Sequence, residues 1–123
     1  MAAARMLQKE NWAVVGSHGR NPITYRLVNK LEGGRKTVFK VNPGVTDEQA
    51  GVLPSLSAIS QPIDVVNLVI NPVKGKDVVM EMSKLNIKSL WIQPGADSPE
   101  VVKMAKDLGM EVHQGCVLVE SKF

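Results

Sequence analysis

The amino-acid sequence predicts an α/β fold of three layers, in which a mostly parallel, doubly wound sheet lies between two layers of helices. Most strand-like segments are continuous runs of Val, Ile and Leu without alternation, which is typical of strands covered on both faces. Helical patterns alternate with these runs, as right-handed crossovers between parallel strands require. Several of the runs are followed by Gly or Pro, where the chain must turn.

The strands are predicted in chain order from these apolar runs. They are Trp12–Val15, Thr37–Val41, Val65–Ile70, Ser89–Ile92 and a last one that begins at Glu111–Val112 and runs toward His113. The segment 47–63 breaks the rhythm, and its Val52 is expected to belong to a stub of edge strand. When that stub is counted as the third strand, the expected spatial order is 3-2-1-4-5-6.

The helices are predicted from apolar stripes and from capping residues. They are Ile23–Leu31, Lys76–Leu85 and a segment that starts after Ser98 and stops at Gly109. The last helix is the clearest, because Ser98 suits an N-cap and Pro99 suits the first helical position. Residues 1–10 are expected to form an N-terminal arm or a short helix, and residues 11–123 a single domain.

Length, charge and cysteine content narrow the class of protein. A chain of 123 residues is long enough for one domain with a hydrophobic core. Its net charge of +3 suits a small polyanion and is too low for a nucleic-acid footprint. No apolar run reaches the length of about 18 residues that a membrane span needs. The single cysteine excludes an internal disulfide and makes the cytoplasm the default compartment.

The most informative stretch is the loop after the first predicted strand, which reads Gly16-Ser17-His18-Gly19. A buried strand that leads into a glycine-bearing turn and a helix start is how α/β proteins hold phosphate groups. Glycine lets the backbone approach a ligand closely, and a helix start offers N–H groups with a partial positive charge. We therefore expect the loop amides, with His18 and Arg20, to contact a diphosphate. A valine at position 16 is expected to fill the space that the diphosphate needs.

Three further loops share this short, Gly- and Pro-rich character. They read Asn42-Pro43-Gly44, Asn71-Pro72 and Gln93-Pro94-Gly95, and each follows a predicted strand. In an open parallel sheet, ligands bind outside the carboxyl ends of the strands, near the switch in strand order. The loops together therefore predict a cradle for an extended cofactor.

The pattern differs from the common dinucleotide and nucleotide sites. The usual NAD site needs G-x-G-x-x-G and an acidic residue at the end of the second strand. Here the glycine spacing is G-x-x-G, and Asn42 stands where the acid is expected, with Asp47 and Glu48 following too late. NADP is excluded less strongly, because it carries a phosphate at the ribose. The P-loop sequence G-x-x-x-x-G-K-[ST] is absent.

The order and spacing of these loops resemble a known family. The matching segments are Val14–Pro22, Val41-Asn42-Pro43, Asp64-Val65-Val66 leading to Ile70-Asn71-Pro72, Trp91–Gly95 and Gly115-Cys116. They look like the small stand-alone CoA-binding domain proteins, which are similar to the CoA-binding domain of the succinyl-CoA synthetase alpha subunit. The resemblance covers residues 10–123 and implies a Rossmann-like fold that binds coenzyme A along the strand ends.

The resemblance also implies which residues contact coenzyme A. They are Val15, Gly16, Ser17, His18, Asn42, Pro43, Gly44, Ile92, Gln93 and Pro94. Asn71 and Pro72, in another loop of the predicted cradle, are also expected to contact the cofactor. The chain departs from the family in its first loop, which commonly reads Gly-Ala-Ser, and before Pro72, where a Pro or Val is common. The lysine that the synthetase carries after its second strand has no certain counterpart. Lys40, Lys74 and Lys76 therefore all stay candidates for the ribose phosphate.

The resulting prediction is a CoA-binding or acyl-CoA-binding protein without catalytic activity of its own. The synthetase places its phosphorylated histidine in a second domain, for which a chain ending at Phe123 has no room. The expected partner is the small-molecule cofactor, with no nucleic acid and no membrane, and a homo-oligomer is compatible with the sequence. Two alternatives stay open: an NAD(P)-binding redox sensor or oxidoreductase, and an interaction domain that has lost its ligand. His113 and Cys116 are expected to be structural, with a mixed disulfide between Cys116 and the CoA thiol as a minor alternative.

Overall fold

The computed structural model describes residues 2–18, 21–43 and 51–123, and within them it contains one parallel sheet. The strands are β1 Asn11–Val15, β2 Thr37–Val41, β3 Val52–Leu53, β4 Val65–Leu68, β5 Ser89–Ile92 and β6 Glu111–Gln114. Their order is β3-β2-β1-β4-β5-β6, and every pairing is parallel. This confirms the predicted three-layer, Rossmann-like α/β fold, its strand order and the edge strand at Val52.

Helices cover both faces of the sheet. They are α1 Ala2–Leu7, α2 Pro22–Gly33, α3 Pro72–Lys84, α4 Pro99–Asp107 and α5 Val117–Glu120, with a 3-10 turn at Leu56–Ala58. Helix α4 begins as predicted, since Ser98 accepts a hydrogen bond from the N–H of Val101 and Pro99 follows it. The short α5 was not predicted from the sequence.

Helix α3 begins earlier than the sequence analysis predicts, at Pro72 instead of Lys76. The reason is local: Oδ1 of Asn71 accepts the N–H of Lys74 at 3.1 Å, which makes Asn71 an N-cap. Pro72 then occupies the first helical position, where its missing N–H has no cost. The pair interpreted as a loop therefore starts a helix, and strand β4 ends at Leu68, before the predicted Ile70.

The two faces of the sheet carry different cores. One face packs under α1, α2 and α5, and we call it the tryptophan face because Trp12 and Trp91 are both fully buried there. The other face packs under α3 and α4, and we call it the aliphatic face because its buried residues are aliphatic, among them Val79, Met82 and Leu90. The alternation of side chains along each strand sends neighbouring residues to opposite faces, so both layers of helices bury apolar surface.

Both tryptophans also anchor the chain segments beside them. The indole Nε1 of Trp12 donates to the carbonyl of Lys9 at 2.9 Å, and that of Trp91 donates to the carbonyl of Gly115 at 2.9 Å. Their ring centroids lie 5.9 Å apart at an interplanar angle of 54°. The first bond fixes the entry into β1, and the second fixes the exit from β6, so each ring satisfies its polar atom while it fills the core.

Candidate functional site

The ends of the strands lie in one row across the sheet. Val15 is paired with Val41 on one side and with Leu68 on the other, and Leu68 is paired with Ile92, which is paired with Gln114. The loops that follow these strands therefore leave the sheet at the same edge, which we call the carboxyl edge. The strand order reverses between β1 and β4, and ligands of open α/β sheets bind at such a point. The structure thus brings the predicted loops together.

The first loop is tied tightly to both neighbouring strands. The N–H of Gly16 donates to the carbonyl of Val41 at 2.9 Å, and the N–H of Val69 donates to the carbonyl of Val15 at 2.8 Å. Val15 and Gly16 are both buried. Ser17 follows as a half-buried residue, while Gly19 and the predicted contact Arg20 lie outside the described residues.

Gly16 is needed for packing inside the protein. A Cβ atom added there would lie 3.1 Å from Cβ of Val69 and 3.2 Å from Oγ1 of Thr24. It would point between β4 and α2, whereas the sequence analysis expects a valine at this position to fill the ligand space. That expectation is corrected: a larger residue at position 16 would first disturb the contact between the loop and helix α2.

The start of helix α2 has fewer free donors than the sequence analysis expects. Oδ1 of Asn21 accepts the N–H of Ile23 at 3.0 Å, and the Asn21 carbonyl accepts the N–H of Thr24 at 3.1 Å. Pro22 has no N–H at all. The described residues provide no acceptor for the N–H groups of Ser17 or His18, so an anion at this edge would meet the loop more readily than the capped helix.

His18 is turned inward onto the sheet. Its ring Nε2 lies 2.9 Å from the carbonyl of Val14 and, facing a carbonyl, must donate to it. Burial lowers the pKa of His18 below its ordinary value of 6.5, and the charge of Lys40 lowers this pKa further, although the bond to Val14 opposes the change. The ring is therefore neutral near pH 7. His18 can offer an anion its backbone N–H, but its ring supplies no positive charge there.

The second and third loops place amides and prolines at the carboxyl edge. The N–H of Asn42 donates to the carbonyl of Leu53 at 2.9 Å, which joins the loop to the edge strand. Asn42 and Pro43 are half-buried, and Gly44 lies outside the described residues. Asn71 is exposed and Pro72 is half-buried at the start of α3. Neither loop carries a charged side chain at these positions.

The loop after β5 is accessible at only one of its three predicted contacts. Ile92 is fully buried, and Gln93 is only 2% exposed. Oε1 of Gln93 accepts the N–H of Val117 at 2.9 Å, so the amide points into the protein. Pro94 is exposed. The side chains of Ile92 and Gln93 are therefore buried behind the carboxyl edge, and they stabilise this loop from inside the protein.

The three candidate lysines are placed differently. Lys76 forms a salt bridge with Glu100, and this hydrogen bond and charge lower the pKa of the carboxyl group. This salt bridge joins α3 to α4, and it makes the Lys76 ammonium group less available to a phosphate. Lys40 is half-buried on β2, and Lys74 is exposed in the first turn of α3. Lys40 and Lys74 are thus the better placed cations for a phosphate.

The segment after β6 combines a histidine, a carboxylate and the free cysteine. His113 Nε2 lies 2.8 Å from Oε1 of Glu120, and the His113 ring contacts Trp91 edge-on, with centroids 4.5 Å apart. A Cβ atom added at Gly115 would meet the Glu120 carboxylate, which would have to move away. Cys116 is half-buried, and in the described structure its Sγ has no hydrogen bond to His113. His113 and Glu120 satisfy each other, which fits a structural role for the histidine.

Two functional classes receive no support from the described residues. The described part of the chain holds no group of three His, Cys, Asp or Glu side chains that could bind a metal ion. None of its helices has the length and apolar character needed to cross a membrane.

Sequence analysis missed two fully buried polar residues, Asn67 and Thr24. The sequence does offer a signal for Asn67, since this polar residue interrupts the apolar run of β4.

Comparisons with known proteins agree with this arrangement. A family model described as a CoA binding domain matches residues 10–122. The uncharacterized protein YneT of Bacillus subtilis is 32% identical over 103 residues, which cover 81% of this chain and 76% of that protein.

Solved structures of similar fold come from archaea and bacteria. A conserved hypothetical protein from Pyrococcus furiosus is 27% identical with a TM-score of 0.79, covering 92% of this chain and 100% of that one. A Thermus thermophilus protein is 23% identical with a TM-score of 0.82, covering 96% and 92%. A hypothetical protein from Pyrococcus horikoshii is 23% identical with a TM-score of 0.80, covering 93% and 82%. With its sheet, its row of strand ends and the matched residues, this chain belongs to the family of small stand-alone CoA-binding domains, like the CoA-binding domain of succinyl-CoA synthetase.

Proposed function

We propose that this protein binds coenzyme A, free or acylated, along the carboxyl edge, and that it has no catalytic activity of its own. The observation that carries the proposal is the register of the sheet, which aligns the ends of β2, β1, β4, β5 and β6 in one row. An extended ligand needs such a row, because each loop contributes one contact. Membership of the CoA-binding family supports coenzyme A as that ligand.

The distribution of charge favours one orientation of the ligand. Lys40 lies on β2, on one side of the first loop. On the other side, Lys74 lies at the start of α3 beside the loop, and farther out the residues that follow β5 and β6 include Pro94, Gly115 and Cys116, which carry no charge. We propose that the ribose 3′-phosphate lies toward Lys40, the diphosphate over Ser17 and His18, and the uncharged pantetheine arm toward β6.

The length of the pantetheine arm fits this orientation. From β1 to β6 the sheet has three inter-strand steps of about 4.8 Å, or roughly 14 Å in all. The arm has about as many backbone bonds as four amino-acid residues, which span roughly 14 Å when extended. A diphosphate at the β1 loop would therefore place the thiol or acyl group close to residues 115–117.

A ligand panel tests the proposed function directly. The melting temperature of the protein is measured with CoA, acetyl-CoA, NAD and NADP at equal concentrations. A ligand present at 100 times its Kd adds about 2.7 kcal/mol of stability, which is a visible rise in melting temperature. The proposal expects the rise with CoA and acetyl-CoA only. A rise with NADP alone would instead support the dinucleotide alternative, and no rise with any of them would support a domain that has lost its ligand.

Lys40→Met tests the orientation. Removing a charge-assisted contact costs about 1.5–3 kcal/mol, so the affinity for CoA is expected to fall by about ten-fold or more. The affinity for dephospho-CoA, which lacks the 3′-phosphate, is expected to stay the same in the variant and the parent. Isothermal titration calorimetry measures both.

Lys88→Met is the matched control for Lys40→Met. Lys88 is exposed directly before β5, at the opposite edge of the sheet, and its loss changes the net charge equally. We expect it to leave both affinities unchanged. Equal losses for CoA and dephospho-CoA in Lys40→Met would refute the placement of the 3′-phosphate.

A further inference from the structure

Two buried amides connect the middle of the sheet to the segment after β6. Asn67 is fully buried and Gln93 is only 2% exposed, both on the tryptophan face. Nδ2 of Asn67 donates to Oε1 of Gln93 at 3.3 Å and to the carbonyl of Trp91 at 3.3 Å. The same Oε1 of Gln93 accepts the N–H of Val117 at 2.9 Å. A single oxygen atom therefore joins β4, β5 and the start of α5.

Three hydrogen bonds converge on residues 115–117. Besides the bond from Val117 to Gln93, the carbonyl of Gly115 accepts Nε1 of Trp91 at 2.9 Å, and the N–H of Gly115 donates to the carbonyl of Ile92 at 3.0 Å. Cys116 lies between these anchored residues. The segment is thus held from both sides at the far end of the carboxyl edge.

We propose that Gln93 is a positioning residue, which holds residues 115–117 as a fixed wall for the pantetheine end of the ligand. This inference rests on the proposed function. It replaces the direct ligand contact predicted for Gln93 with an indirect role. Because the Gln93 side chain is buried and its Oε1 is occupied, it acts on the ligand through Val117 and the segment that Val117 begins.

The short helix α5 explains why such an anchor is needed. It has four residues, which is far below the length at which a helix is stable alone. Val117 is fully buried, so its N–H would be an unsatisfied buried donor without Gln93. A wall that is already ordered spares the ligand the cost of ordering it on binding.

Gln93→Met tests the proposal, because it keeps the length of the side chain and removes the acceptor. We expect the affinity for CoA to fall by about ten-fold, because a segment that Gln93 no longer anchors must be ordered when the ligand binds. We expect the affinity for adenosine 3′,5′-bisphosphate, which lacks the pantetheine arm, to stay unchanged. A role in stability alone would not separate the two ligands.

Val117→Pro removes the same hydrogen bond from the donor side. Val117 is the first residue of α5 and Cys116 before it is extended, at φ −109° and ψ 119°, so proline suits the backbone there. The variant is expected to repeat the selective loss of CoA affinity, and the double variant is expected to lose no more than either single one.

Met82→Ala is the control for lower stability. Met82 is buried on the aliphatic face, in α3, and its truncation is expected to leave both affinities unchanged. If the parent protein binds CoA but both Gln93→Met and Val117→Pro keep full affinity, the positioning role is refuted while the proposed function stands. If the parent protein binds neither CoA nor the bisphosphate, the proposed function itself fails.

Discussion

The two faces of the sheet differ in what they bury. The aliphatic face packs α3 and α4 onto the strands with a core of Val, Leu, Ile, Met and Ala. The tryptophan face buries three polar residues, Thr24, Asn67 and Gln93, beside its aromatic rings. In the described structure, Oγ1 of Thr24 and Oδ1 of Asn67 are buried without a hydrogen-bond partner. Such atoms reduce stability, so the polar residues are better explained by the adjacent carboxyl edge than by the core.

The two faces therefore have different roles: the aliphatic face stabilises the fold, and the tryptophan face also holds loops of the carboxyl edge. Apolar burial without polar groups is the more efficient way to stabilise a sheet, since every buried polar atom must find a partner. The aliphatic face follows that rule. The tryptophan face departs from it near residues 16–18 and 115–117, where the loops of the carboxyl edge must be held in place. We therefore expect substitutions on the aliphatic face to change stability alone, and those on the tryptophan face near residues 16–18 and 115–117 to change ligand binding as well.

Met82→Ala gives the largest expected effect and tests the aliphatic side of this comparison. Truncation of a fully buried Met typically costs about 2–5 kcal/mol of unfolding free energy, because packing is lost and a cavity is left. Urea unfolding measures the loss, and calorimetry with CoA measures the affinity of the folded protein. A fall in affinity beyond the fraction that unfolds would contradict the proposed division between the faces.

Gly34→Ala gives a smaller effect beside α2 on the other face. Gly34 has an ordinary φ of −84°, so alanine is not strained there, but its Cβ would overlap the ring of Phe123. The ring must move away, and the loss of its packing is expected to cost about 1 kcal/mol. The lower entropy of the unfolded chain with alanine partly offsets this cost. Unfolding free energies of Gly34→Ala, Phe123→Ala and the double variant measure the effect.

The double variant decides whether this contact explains the cost. Phe123→Ala alone removes the same packing, so the double variant is expected to be no less stable than either single one. The Phe123 ring also lies 5.4 Å from Nζ of Lys36, whose ammonium group donates to the carbonyl of Leu7 at 2.6 Å. Additive losses would mean that Gly34 acts through some other contact.

The fold was predictable from the sequence because its signals are local or periodic. Continuous apolar runs such as Trp12–Val15 indicate strands buried on both faces, and Ser98-Pro99 marks the start of α4 by its capping chemistry. Asn71-Pro72 was harder, because the same dipeptide suits a loop and a helix start. Only the position of the Lys74 N–H shows which of the two it is.

The sequence predicts which loops form the candidate site, but it predicts less well which of their side chains point outward. The row of strand ends follows from the parallel strands, whatever their side chains. The direction of an amide does not follow from its place in the chain: Gln93 comes directly after a strand, yet it points inward to Val117. Helix α5 has only four residues, which is too few for a periodic pattern to identify.

The pH dependence of stability gives the smallest expected effect and concerns His18, in the first loop of the carboxyl edge. The pKa of His18 is lowered from 6.5 in the folded protein, mainly by burial, so the unfolded chain binds more protons just below that value. The contribution of His18 to stability is therefore complete above pH 6.5 and is lost as the pH falls through the lower pKa of the folded state. His18→Gln keeps an N–H donor for the carbonyl of Val14 and cannot titrate. Urea unfolding between pH 5 and pH 8 is expected to show a shallower decline toward acid for His18→Gln than for the parent, while Met82→Ala keeps the slope of the parent. Parallel pH profiles for His18→Gln and the parent would mean that the titration of the half-buried imidazole is not coupled to folding.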